Sequence, residues 1–253
     1  MKNNIFFEKN GFVKLNKFLA KDKLFLNFKN VFFQTILDIA KHNNLNVSKV
    51  NDKNVNQVIF NLKTINDNNI KFIHEIVNTL PELNYIFSSK KINTLIKKIL
   101  QIQKKTLIFV NNYSFRIQVP GRDEVSNLPW HKDSSYNDSF IKDNSIVVWI
   151  SLSKITSKMG PIVFKKGSHK IGDINKTTVY KKNKNKIFSL EKKKKWLNIN
   201  DFTFETNIGD IILIDMETVH KSGANLSKSN TKLSAQARFH FLSKKYLNKK
   251  LII

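Results

Sequence analysis

At about Thr106 the texture of the chain changes, and this break constrains the fold more than any other feature. Before it, residues 12 to about 105 space their apolar positions as helices do: Phe18, Leu19, Phe25, Phe28, Val31, Phe32, Ile36 and Ile39, then Val55, Val58, Ile59 and Leu62. Ile70 to Leu80 and Lys91 to Ile102 continue the pattern, with Pro81 opening a further helix. After it come short β-rich runs, TLIFVNN, YSFRIQV, SIVVWISL, GPIVF, FTFET, DIILID and LSAQARFHF, separated by Gly, Pro, Asn and Lys-rich turns. Strands this close together, with no long helix between them, predict an antiparallel jelly roll whose open mouth can hold a ligand. The expected fold is therefore mostly β with helices (α+β): residues 1–105 a helical buttress, residues 106–253 a jelly-roll core, together one domain. A polar insertion from about Ile171 to Asn200 joins two strands; it reads as a solvated loop that could fold over the mouth as a lid.

Composition narrows the chemistry. The chain has no cysteine, which excludes disulfides, zinc-thiolate sites and iron–sulfur clusters, so a metal must be held by histidine nitrogen and carboxylate oxygen. Among 253 residues, 41% hydrophobic, no apolar run approaches the roughly 20 residues of a membrane span. The expected setting is cytoplasmic. A net charge of +25 would ordinarily raise nucleic acid as a partner. Here the excess is lysine spread along the whole chain rather than arginine, and it reads as a solvated surface; the runs KKNKNK from Lys181 and EKKKKW from Glu191 are its densest patches. The charge hints only weakly at an anionic or carrier-linked substrate. No GxSxG elbow, cysteine nucleophile or HExxH motif supports a hydrolase.

The sharpest chemical feature is Trp130-His131-Lys132-Asp133. In an extended segment residues i and i+2 point to one face, so the His131 imidazole and Asp133 carboxylate can converge on one ion. A distant histidine would complete the set, and His220 is the candidate, after the strand Ile211 to Asp215 and before Lys221-Ser222-Gly223. Two histidines and one carboxylate leave coordination positions open, as iron(II) requires for a bidentate co-substrate and dioxygen. Arg116 and Gln118 share a face of the preceding strand; they either contact substrate or co-substrate or form an outward polar edge. Trp149 reads first as core and second as a pocket wall, Trp130 as a support for the turn, His169 as a loop stabiliser, and His240 as unligated.

Three blocks, YSFRIQVPGRDEVSNLPWHKDSSYN, SIVVWISLSKITSKMGPIVFKKGSHKIG and IGDIILIDMETVHKSGANLSKSNTKLSAQARFHF, resemble the phytanoyl-CoA dioxygenase-like family of iron(II)/2-oxoglutarate oxygenases over about Tyr113 to Phe241. The resemblance implies a double-stranded β-helix with helices on one sheet, iron held by His131, Asp133 and His220, and 2-oxoglutarate and dioxygen as co-substrates. It also implies a basic anchor for 2-oxoglutarate on the strand after His220. Where the family has arginine this chain has Lys232, which keeps the charge but loses the guanidinium fork; Arg238, an even number of residues on, can share that face. Either can be the anchor. The implied activity is hydroxylation of a small molecule with release of succinate and carbon dioxide, by a monomer or homodimer. A cupin-like metal enzyme that does not use 2-oxoglutarate, or a non-catalytic jelly-roll binding module, remain the alternatives.

Overall fold

A computed structural model describes residues 2–121, 127–136, 145–172, 174, 176–180 and 186–241. Its first half is helical: α1 (Lys2–Asn10), α2 (Lys23–His42), α3 (Val55–Ile65), α4 (Asn68–Thr79), α5 (Pro81–Phe87) and α6 (Lys90–Ile99). Asp22 caps α2 by accepting from the amides of Leu24 and Phe25, and Phe25, Phe28, Phe32, Ile36 and Ile39 form its buried stripe.

Between α1 and α2 lies a strand that helical spacing conceals. β1 (Phe12–Leu15) pairs antiparallel with β8 (Ile211–Asp215), so the helical reading of residues 12 onward is wrong at its first four residues. Gly11 makes the break: at φ 81° it ends α1, donating its amide to Phe7 O at 2.7 Å.

The main sheet has the order β1-β8-β3-β10-β2, with β2 Ile108–Gln118, β3 Ser145–Ser151 and β10 Lys232–Phe241. A smaller sheet, β7-β4-β9, faces it, made of Asp201–Phe202, Val163–Lys165 and His220–Lys221. The fold is the expected mixture, a double-stranded β-helix backed by helices. The main sheet is covered on both faces, which explains the unbroken apolar runs of β3 and β8. Ile146, Val148, Ile150, Ile211 and Leu213 pack on the helices. Val147, Trp149, Ile212 and Ile214 pack between the sheets with Phe12, Met159 and Phe164. In β10 the pattern differs: Leu233, Ala235, Ala237 and Phe239 join the helix-side core, while Lys232, Ser234, Gln236 and Arg238 line a cavity.

TLIFVNN and YSFRIQV form one strand, β2, rather than two. Gln236 pairs with Ser114 but Arg238 with Asn111, so β2 carries one extra residue there. That bulge shifts the register between the two strands.

The insertion is more than a solvated loop. Its described residues form a hairpin, β5 (Lys176–Tyr180) with β6 (Lys186–Leu190), and a short helix, α7 (Lys194–Leu197). Ile174, Leu190 and Trp196 cluster with Val219 against Trp130. Most of the KKNKNK run, residues 181–185, lies outside the described residues. Among the described residues no helix is long and apolar enough to cross a membrane.

Candidate metal and co-substrate site

His131 and His220 are brought together by their own backbones. Each donates its amide to the other's carbonyl, at 2.9 and 3.0 Å, so the two residues form one rung of an antiparallel ladder with ring centroids 4.2 Å apart. His131 Nδ1 lies 2.8 Å from Pro129 O and His220 Nδ1 lies 2.9 Å from Thr218 O. A carbonyl only accepts, so both Nδ1 atoms carry the proton and both Nε2 lone pairs are free for a metal.

Asp133 arrives differently from the extended HxD expectation, since it opens a 3-10 turn, Asp133–Tyr136. Lys132 between the two ligands points away, donating to Glu217 at 2.6 Å. One ligand atom from each of His131, Asp133 and His220 lies within 4.8 Å of the others, and all three residues are buried. Asp133 Oδ1 accepts from Arg238 Nη2 at 2.9 Å, while Oδ2 is 3.4 Å from His220 Nε2.

Protonation favours metal binding. Burial, reinforced by His220, lowers the His131 pKa to about 3, so its imidazole is neutral. Burial alone would raise Asp133, but His220, Arg238 and His131 outweigh it and hold the carboxyl below its ordinary value. Two imidazoles and one carboxylate are the donor set that suits a divalent transition metal with open positions.

A cavity of about 580 Å³ opens over these three residues. Every site residue singled out from the sequence lines it: Arg116, Gln118, Trp149, Lys232 and Arg238 beside the three ligand candidates. Arg116 and Gln118 thus face inward, and Trp149 serves both the inter-sheet core and the wall. Lys232 donates to Gly160 O at 2.6 Å, and burial lowers its pKa to about 7. Gln118 donates to Gly223 O at 2.8 Å and to Asn127. Trp130 packs on Trp196 outside the cavity, and His169 contacts Glu8 O at 3.1 Å. His240 is buried at 2.6 Å from Ser145 Oγ, away from the metal cluster.

Sequence reasoning missed Tyr136, Ser234, Gln236 and the wall contributed by α4, which includes Ile70, Lys71, His74 and Glu75. Ser234 and Gln236 were legible from the alternation in β10; the α4 wall was not, because nothing in a helical pattern says which end meets a distant cavity. The insertion braces the site without lining it among the described residues: Tyr136 Oη donates to Phe188 O at 3.1 Å and accepts from Phe188 N at 3.0 Å.

The phytanoyl-CoA dioxygenase (PhyH) family matches residues 7–232. No curated protein matches the sequence. Among solved structures the chain is similar to the epimerase SnoN in complex with Fe3+, alpha ketoglutarate and nogalamycin RO, with TM-score 0.61 and 13% identity over 94% of this chain and 82% of that one. It is similar also to the non-heme alpha ketoglutarate dependent carbocyclase SnoK, with TM-score 0.58 and 13% identity over 94% and 83%. EvdO2 from Micromonospora carbonacea var. aurantiaca, complexed with 2-oxoglutarate, gives 0.58 and 11% over 96% and 90%. At these identities the likeness carries the fold alone. The match to the family, running over residues 7–232 of 253, carries more: the chain belongs to the phytanoyl-CoA dioxygenase family.

Proposed function

We propose that the chain is an iron(II)- and 2-oxoglutarate-dependent oxygenase that hydroxylates a small molecule and releases succinate and carbon dioxide. The observation that carries this reading is the convergence of His131, Asp133 and His220, with both histidines fixed through Nδ1, beneath a cavity whose inner wall is cationic. Iron(II) bound there would activate dioxygen, the oxidant, with one oxygen atom going to succinate as 2-oxoglutarate loses carbon dioxide and the other to the substrate, chemistry that protein side chains lack. The residues do the rest. His131 and His220 present Nε2, and Arg238 turns Asp133 so that Oδ2 faces them. Arg238 is engaged at the metal-side end, whereas Lys232 uses one of its three N–H donors on Gly160 and keeps the others for a carboxylate. We therefore assign the far carboxylate of 2-oxoglutarate to Lys232. Trp149 and Ile162 form apolar wall that limits water around the reacting centre.

Solved structures with this fold include an epimerase and a carbocyclase, so hydroxylation is one outcome among those such a scaffold accommodates. The decisive assay is aerobic release of succinate from 2-oxoglutarate by the iron-loaded protein, followed with and without candidate substrates. Release that needs iron and disappears in His220→Ala supports the oxygenase. Metal binding without any consumption of 2-oxoglutarate would favour a cupin-like enzyme, and ligand binding indifferent to metal would favour a binding module.

A further inference from the structure

The cavity holds more positive charge than iron and 2-oxoglutarate would neutralise. On the oxygenase reading, the two charges of iron(II) balance the two carboxylates of 2-oxoglutarate, and Asp133 balances Arg238, its partner at 2.9 Å. Lys232 is engaged by the Gly160 carbonyl at 2.6 Å and, on the same reading, by the far carboxylate of 2-oxoglutarate. Arg116 is left over. Among the described residues its guanidinium makes no hydrogen bond or ion pair, although it lines the cavity opposite Ser234, which is four residues along β10 from Arg238. Burial and the neighbouring Arg238 push its pKa below the ordinary value, opposed by Asp133, and a guanidinium still stays charged.

Arg116 does not stand alone. α4 is clamped against β2 at the adjoining residue, where Phe115 N donates to Asn78 Oδ1 at 2.7 Å. That clamp brings Lys71 and His74 of α4 into the same wall. Burial, together with the Arg116 charge, lowers the pKa of His74, so the two residues are close neighbours. Glu75 is the acidic residue that α4 contributes to this wall, and it forms no ion pair among the described residues. The use of arginine here is also selective: the chain has only three, Arg116, Arg122 and Arg238, against 44 lysines and arginines in all, and both of those among the described residues line this cavity. A guanidinium differs from an ammonium in its planar fork, which fits a carboxylate or phosphate through two parallel hydrogen bonds.

We propose that Arg116, with Lys71 and His74 on the facing helix, forms an anion subsite for the primary substrate, which therefore carries a carboxylate or phosphate group. The proposal rests on the oxygenase reading for the identity of the reaction, but the subsite itself is a property of these three residues. It separates two cationic poles by role: Lys232 with the co-substrate, Arg116 with the substrate.

The test uses the anaerobic iron(II)·2-oxoglutarate protein, titrated calorimetrically with hexanoate, hexyl phosphate and, as the neutral control, hexan-1-ol. Wild type is expected to bind at least one anion more tightly than hexan-1-ol, and the preferred anion tells carboxylate from phosphate. R116L should weaken that binding about 10- to 100-fold, the loss of a charge-assisted pair, with R116K in between. R116L should also keep the visible charge-transfer band of the iron·2-oxoglutarate chelate and the thermal midpoint of the wild type. Equal binding of the anions by R116L and wild type, or no binding of either anion by wild type, overturns the subsite. Loss of the chelate band in R116L also overturns it, because Arg116 would then serve the co-substrate. Should wild type itself give no chelate band, the oxygenase reading fails separately, and the same three probes on the metal-free protein still decide for or against Arg116.

Discussion

The carbonyls of Pro129 and Thr218 decide which nitrogen each histidine offers to the cavity, and Arg238 decides which oxygen Asp133 offers. These are the contacts that orient three potential ligands toward one another, as a metal site would require. His131 and Asp133 were legible in the sequence because ligand type and spacing are local properties, even though the second residue enters from a 3-10 turn. His220 was legible from its place after an apolar strand. Lys71 and His74 were not, since their role depends on where α4 docks. The pKa of Lys232 leads to two expectations. The ammonium is the form that binds a carboxylate, so 2-oxoglutarate affinity of the metal-loaded protein should fall as pH rises through about 7, while K232R, charged throughout, should stay flat. Parallel profiles in a titration series from pH 6 to about 9 would remove Lys232 from the co-substrate site. For stability the sign is the reverse of a salt-bridged lysine. The folded pKa of about 7 lies below the ordinary 10.5, so between them the unfolded chain binds more protons and stability gains with pH. Denaturant midpoints should therefore rise more steeply across that window in wild type than in K232M.

At the scale of elements, the strands that build the core and those that build the site differ visibly in sequence. SIVVWIS and IILID are apolar on both faces because helices cover one side and the opposing sheet the other. KLSAQARF alternates because its inner face is the cavity wall. What hid from inspection were elements defined by partners: β1 is four residues whose strand identity comes from pairing with β8, and the β2 bulge looks like a loop until its register is known. The insertion, read as polar, is held by Trp196, which is 1% exposed. W196A should cost about 3–5 kcal/mol, and because Leu190 N donates to Trp130 O beside His131, it should also weaken metal binding. Urea denaturation and cobalt(II) titration would check both; a stability loss with unchanged metal affinity would show the hairpin to be only a scaffold. Gly160 has a sharper requirement. At φ 68° it sits against the backbone of Gly223 and Ala224, and its carbonyl holds Lys232. G160A should lower 2-oxoglutarate affinity more than metal affinity.

For the whole molecule, the helical half and the jelly-roll half share one apolar core on the outer face of the main sheet, while the metal candidates lie on its inner side. A metal held by His131, Asp133 and His220, which only the folded chain brings together, would stabilise the folded state. Manganese(II) at about 100 times its Kd should add about 2.7 kcal/mol, or roughly 5–10 °C in Tm for a chain of this size, and the gain should vanish in D133A. The measurement that bears most directly on the central claim is an anaerobic titration of the apoprotein with iron(II) and then 2-oxoglutarate, watched for the weak visible charge-transfer band of a bidentate keto-acid chelate. The account predicts that the band appears in wild type and is lost in both His131→Ala and Asp133→Ala. Iron bound by wild type with no band on adding 2-oxoglutarate would contradict it.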